Sequence, residues 1–346
     1  MDRCAKLYEK IKSGFADAIL ITDRNNIYYF SGFSGSSGYL VITAEDKILV
    51  TDFRYTEQAS YQAKGFDVYD CAAFEKEKFF SAFSKVAFEN QTISYALYQT
   101  FASFVNELVP LGNLLTDIRA VKGNEEIACI EKAASIADKA FEHIIDYITP
   151  GMTERQVAFE LEMYMINSGA DGLSFDAIVA SGTRGSLPHA EPGDNILKEG
   201  DLVVMDYGCR VNGYCSDMTR TIAVGDITDA HIRAYELVKN VQLVCLDMVM
   251  PGACCSEIHN YSSKVINDAY PGCYGHGLGH GVGLEIHESP NLNTRNNGIL
   301  VPGNIITVEP GVYIPGFCGV RIEDLVLVTE FGYRILSKST KELVKI

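Results

Sequence analysis

The sequence predicts a mixed α/β (α+β) chain in two parts: a small α/β domain over residues 1–117, then a larger, internally duplicated domain over residues 118–346. Three observations carry that expectation. Short β-rich runs separated by glycines give way, after the linker-like Pro110–Asn113, to long amphipathic helices. Asp201–Gly225 reads as a β-hairpin about Asn212-Gly213, two residues that both tolerate positive φ. The order helix, helix, His-x-x-Pro, glycine, acid-bearing hairpin occurs twice, as an ancient duplication would leave it.

At 346 residues the chain is long enough for two separate cores. A net charge of −16 argues against nucleic acid or an anionic membrane as the main partner. No run of about 18 uncharged apolar residues is present that could span a bilayer. The amphipathic N-terminus, MDRCAKLYEKIKSG, lacks the apolar core of a signal peptide, so a cytoplasmic location is expected. Ten cysteines without a spacing pattern read as reduced core residues, and no CxxC pair suggests a zinc ribbon.

In the first part, Ala18–Thr22, Gly38–Thr43 and Lys47–Thr51 are strand-like, while Phe79–Val86 and Phe101–Leu108 are expected to be helical. The run FSGFSGSSG lacks the GxxxxGK[ST] phosphate loop and reads as a turn beneath a strand. Arg54, in TDFRY, belongs either to a site or only to the surface. From Asn124, apolar residues at Ile127, Ile130, Ala134, Ala137, Phe141, Ile144 and Ile148 mark an amphipathic helix ended by Pro150-Gly151. Thr153–Gln156 is a capping box that opens a second helix, closed by Gly169. Helices over Asp229–Met248 and Ser256–Ala269 repeat the pair. His189–Pro192 follows the first pair and His287–Pro290 the second; Gly200 then precedes Asp206 as Gly303 precedes Glu309.

The acids fall into pattern once the turns are fixed. With Asn212-Gly213 as the turn, Val211 faces Tyr214 and Asp206 faces Thr219, which puts Asp217 diagonal to Asp206 on the same face. Glu309 and Glu323 are equidistant from Gly316 in PGFCG, so a hairpin centred there makes them cross-strand neighbours. Two halves facing each other would converge both pairs on one point. Four carboxylates that meet need countercharge, and two divalent ions would balance them where one would not. A nitrogen donor comes from HGLGHGVGLEIHE, His276–Glu288, whose glycines argue against a helical His276/His280 pair. HExxH and GxGxxG are both absent. Any one of these histidines could be a hydrogen-bonded loop residue, but three of them beside a carboxylate hairpin point to chemistry.

Asp206, Asp217, His280, Glu309 and Glu323, in the contexts MDYG, SDMTRT, GHGVG, TVEPGVY and RIED, closely resemble the metal ligands of the M24 metallopeptidases. That resemblance covers about Ile118 to the C-terminus and implies the duplicated pita-bread fold of methionine aminopeptidase, aminopeptidase P and prolidase. SGFSGSSG followed by TDFRY resembles the N-terminal domain of aminopeptidase P and its creatinase and prolidase relatives, a domain that methionine aminopeptidases generally lack. Creatinase keeps the fold without the ligands, and here the set is complete.

By that resemblance Asp206 and Glu323 bridge two ions, Asp217 holds one, and His280 and Glu309 hold the other. Glu309 also serves as general base and acid, with attack by a metal-bridged hydroxide. His189, His287, Tyr313 and Arg321 surround the substrate, with His189 and His287 counted as catalytic; His276 matches a family position near the site without a definite role. Oxygen-rich ligation with one imidazole suits Mn2+, with Co2+, Zn2+ or Fe2+ open. The expected activity is an Xaa-Pro aminopeptidase acting on peptides, with the Xaa-Pro dipeptidase, or prolidase, as its alternative and a homodimer as the expected assembly. A non-catalytic peptide-binding module on the same fold is the reading from another class.

Overall fold

The computed structural model describes residues 3–11 and 15–346 and divides into two compact units, Met1–Leu115 and Thr116–Ile346. The amphipathic N-terminal stretch is a helix over Arg3–Ile11, while its flanks, residues 1–2 and 12–14, lie outside the described residues. In the smaller unit six strands form one sheet, in the order Asp67–Asp70, Lys47–Thr51, Tyr39–Ile42, Ala18–Ile21, Lys85–Phe88 and Glu107–Pro110. Tyr39–Ile42 pairs antiparallel with both neighbours, and the remaining pairs are parallel. The glycine run caps a helix: Gly32 ends Arg24–Ser31 in the left-handed region at φ +76°.

Two expected helices are shorter than the sequence suggests. Helix Lys76–Phe80 stops before Lys85–Phe88, and helix Tyr95–Ala102 stops before Glu107–Pro110. Both tails are parallel strands because the buried central strand Ala18–Ile21 offers a ladder to Val86–Phe88, which in turn pairs with Leu108–Pro110. Asp17 fixes that entry by accepting the backbone N–H groups of Ser84 and Lys85. A short apolar run does not say which period it obeys, and here the sheet decided.

The larger unit shows its duplication in the backbone. Helices Asn124–Tyr147 and Glu154–Asn167 precede the first acid-bearing hairpin, and Asp229–Asp247 and Cys255–Ala269 precede the second. Gly151 N donates to Leu197 O at 2.9 Å, and Gly252 N to Leu300 O at 2.8 Å. Gly200 N donates to Val224 O at 2.7 Å as Gly303 N does to Val328 O at 2.9 Å, and both glycines have φ +91°. Each half buries its own core, around Ile144, Leu161, Val203 and Met205 in the first and Tyr235, Leu246, Ile306 and Val326 in the second. They meet along Met218–Ala223 and Cys318–Arg321, where Glu323 N donates to Thr219 O at 3.1 Å and Thr221 Oγ1 to Arg321 O at 2.9 Å.

Candidate metal centre

Register places the acids. The Asn212-Gly213 turn pairs Val211 with Tyr214 and, further along, Asp206 with Thr219 in strands Leu202–Tyr207 and Met218–Ala223. Asp217 stands immediately before the second of these strands. In the other half one register runs through two ladders, with Val308 opposite Asp324 and Gly311 opposite Arg321. Glu309 and Glu323 fall in the gap between those ladders. Pro310 has no N–H to give a ladder, and the Glu309 N–H is taken by Leu278 O at 2.8 Å. The interruption turns both glutamates out of the sheet towards the acids of the first half.

His280 comes from strand Gly279–Gly281 and not from a helix. Its flanking glycines let three backbones close together: a Cβ at Gly279 would stand 2.0 Å from Thr307 O, and one at Gly281 2.2 Å from Ser289 O. His280 Nε2 lies 3.5 Å from Asp217 Oδ2 and 3.4 Å from Glu309 Oε1. Ligand atoms of Asp217, His280 and Glu323 all fall within 4.8 Å of one another. His280 Nδ1 lies 3.0 Å from Gly281 O, which can only accept, so the ring proton is assigned there and Nε2 turns a lone pair to the carboxylates.

Such an arrangement repels itself. Burial first, then the charges of Glu323, Asp206 and Glu309, push the Asp217 carboxyl well above its ordinary value. Burial, with Glu309 and Asp206 beside it, does the same to Glu323. Glu309 is pushed up to about 8, chiefly by burial, and burial lowers His280 to about 4. Asp206 Oδ1 is buried without a hydrogen-bond partner. Four acids, one imidazole lone pair and an orphaned carboxylate oxygen fit divalent cations bound among them.

These residues form the floor of a cleft of about 560 Å³. His189 and His287 are exposed in its walls, and His287 packs edge-on against His280 with ring centroids 4.4 Å apart. Arg321 is buried in the wall and donates to Asp206 Oδ2 at 2.5 Å. Tyr313 stands behind, 7 % exposed, its hydroxyl 2.9 Å from both Arg321 NH1 and His276 Nε2. Arg54, in the smaller unit, is exposed and paired with Asp52 at 2.8 Å.

Two threonines join this set without having been singled out in the sequence. Thr219 Oγ1 donates to Glu323 Oε2 at 2.7 Å, and Thr307 Oγ1 to Glu309 Oε1 at 3.2 Å. The signal was present: Thr219 is the residue opposite Asp206, and Thr307 lies two positions before Glu309. Phe175, Asp176, Asn291 and Asn293 also line the cleft and carry no motif that marks them.

A family model for metallopeptidase family M24 matches residues 128–330, and one for the creatinase/prolidase N-terminal domain matches residues 3–121. The chain is 37% identical to the Xaa-Pro dipeptidase of Pyrococcus furiosus, over 99% of both chains. Of solved structures, the Xaa-Pro dipeptidase from Bacillus anthracis superposes with a TM-score of 0.94 at 38% identity, covering 99% of this chain and 100% of that one. The X-Pro aminopeptidase from Thermotoga maritima superposes with a TM-score of 0.91 at 32% identity, covering 100% of both.

Proposed function

We propose that this chain, which belongs to metallopeptidase family M24, is an Xaa-Pro dipeptidase. The observation that carries the reading is the convergence of Asp206, Asp217, His280, Glu309 and Glu323, drawn from both halves of the pita-bread fold, on the floor of one cleft. The aminopeptidase expectation rested on SGFSGSSG and TDFRY. Both segments lie inside the match to a domain named for creatinase and prolidase together, so they do not report substrate length. End-to-end likeness to two Xaa-Pro dipeptidases, at 37% and 38% identity against 32% for the X-Pro aminopeptidase, favours the dipeptide.

An Xaa-Pro bond is a tertiary amide without an N–H, and its ring constrains the backbone. Its cleavage requires a polarised carbonyl and a proton for the departing ring nitrogen. Two divalent ions held by the five side chains, Mn2+ by the chemistry of the donor set, would supply Lewis acidity and an acidified water. Glu309 takes the proton of the attacking water and returns it to the proline nitrogen. His287, exposed beside His280, donates to the oxygen that gains charge, and His189 and Arg321 bound the space the dipeptide fills. A homodimeric cytoplasmic enzyme belongs to the same reading.

The test is chromatography of Ala-Pro and Ala-Pro-Ala after incubation with manganese-loaded protein. Release of alanine from Ala-Pro with the tripeptide intact is the expected result. Conversion of Ala-Pro-Ala to Ala and Pro-Ala would make the protein an aminopeptidase instead.

A further inference from the structure

A second buried charge cluster stands behind His287. The side chains of Arg119, Lys122 and Glu288 are 3%, 1% and 5% exposed. Arg119 NH2 donates to Glu288 Oε1 and, 2.8 Å away, to Glu285 Oε2. Lys122 Nζ donates to Glu288 Oε2 at 3.1 Å, and the Glu285 backbone N–H to Glu288 Oε1 at 3.1 Å. The Glu288 carboxylate therefore ties together the segment that leads into it. A Cβ at Gly283 would stand 2.4 Å from Glu288 Oε2, and Gly283 O accepts from Cys215 N at 2.8 Å, so the loop is seated on the first hairpin as well. The cations are anchored in turn: Lys122 N donates to Gly303 O at 2.9 Å, and Asn304 Nδ2 to Ala120 O at 2.9 Å.

Burial favours the neutral carboxyl of Glu288, but the Lys122 ammonium and Arg119 guanidinium outweigh it and hold the group below the ordinary glutamate value. Buried ion clusters of this kind are poor sources of net stability compared with apolar packing, and their best-attested use is to fix one geometry. What this cluster fixes is the turn that ends in His287. A cavity of about 180 Å³ opens beside that histidine, between Thr116 and Asn291, so packing alone does not hold the ring on that side.

We propose that Glu288 is a positioning residue: clamped by Arg119 and Lys122, it sets the 283–288 loop and through it the place of the His287 imidazole over the cleft. The kinetic consequence rests on the peptidase reading of His287; the structural one does not.

A double-mutant cycle with a metal-free companion measurement separates the two. Glu288→Gln is expected to lower kcat for Ala-Pro by about 10–100-fold with little change in KM, as misplacement of a catalytic group does. In a His287→Ala background the same substitution is expected to change kcat by less than about twofold, because the group it positions is gone. Equal losses in both backgrounds would overturn the proposal. If Glu288→Gln does not fold, Glu288→Asp keeps the charge, shortens the reach and enters the same cycle. In metal-free protein, the amides of residues 283–288 are expected to exchange at least about tenfold faster in the variant. Unchanged exchange would overturn the proposal whether or not Ala-Pro is a substrate, whereas a wild-type protein inert towards Ala-Pro would count against the peptidase reading alone.

Discussion

At Thr219 the hydroxyl donates to Glu323 Oε2 at 2.7 Å and accepts from Arg321 Nε at 3.0 Å, all within a fully buried setting. One side chain thus orients an acid of the second half and the guanidinium that donates to Asp206. Thr219→Val keeps the shape and strands both partners, so a loss of about 1–3 kcal/mol is expected in urea unfolding of the metal-free protein. Manganese affinity is expected to fall about 10–100-fold, as when an outer partner of a ligand is removed, and calorimetric titration measures it. Unchanged affinity would mean that the hydroxyl orients nothing the ions need. The pairing of the acids was legible because the Asn212-Gly213 turn sets the register of one hairpin and the turn about Gly316 that of the other, and register decides which acids share a face; His280 was marked only by the family resemblance. The threonines were not legible in the same way, since a hydroxyl in a β-rich run is ordinary until its neighbours across the sheet are known.

At the scale of elements, the approach of Gly279–Gly281 to its neighbours positions His280. Gly281→Ala puts a methyl 2.2 Å from Ser289 O, where backbone and not a flexible side chain must give way. A destabilisation of about 1–3 kcal/mol or more, the usual range for overpacking, is expected in thermal or urea unfolding, together with weaker metal uptake from the displaced imidazole. An alanine variant with wild-type stability would show that the strands have room to part. Hairpins and long helices could be read from the sequence because their signals are local: the Asn212-Gly213 turn, the Thr153–Gln156 capping box and the three-four apolar spacing from Asn124. The helices expected over Phe79–Val86 and Phe101–Leu108 ran into strands because the pairing is not local: Lys85–Phe88 pairs with Ala18–Ile21, far away in sequence, and Glu107–Pro110 pairs in turn with Lys85–Phe88.

For the whole molecule, duplication explains why an otherwise costly cluster of acids exists. Each half contributes two carboxylates and a core of its own, and neither half holds the complete set. The repeat was visible in the sequence as order and spacing, and the matched glycines at φ +91° with their matched hydrogen bonds show it in the backbone. Substrate length was less legible, because the segments that suggested it belong to a domain type shared by enzymes of different preference. The two halves are expected to bind metal only together, and mass spectrometry of manganese retained by metal-stripped, reloaded and dialysed protein measures it. Two ions per chain are expected for the wild type, with a clear loss in both Asp217→Asn, from the first half, and Glu323→Gln, from the second. Stoichiometry near zero in the wild type, or uptake indifferent to either substitution, would mean that the converging acids hold no metal and would favour a non-catalytic peptide-binding role for the fold.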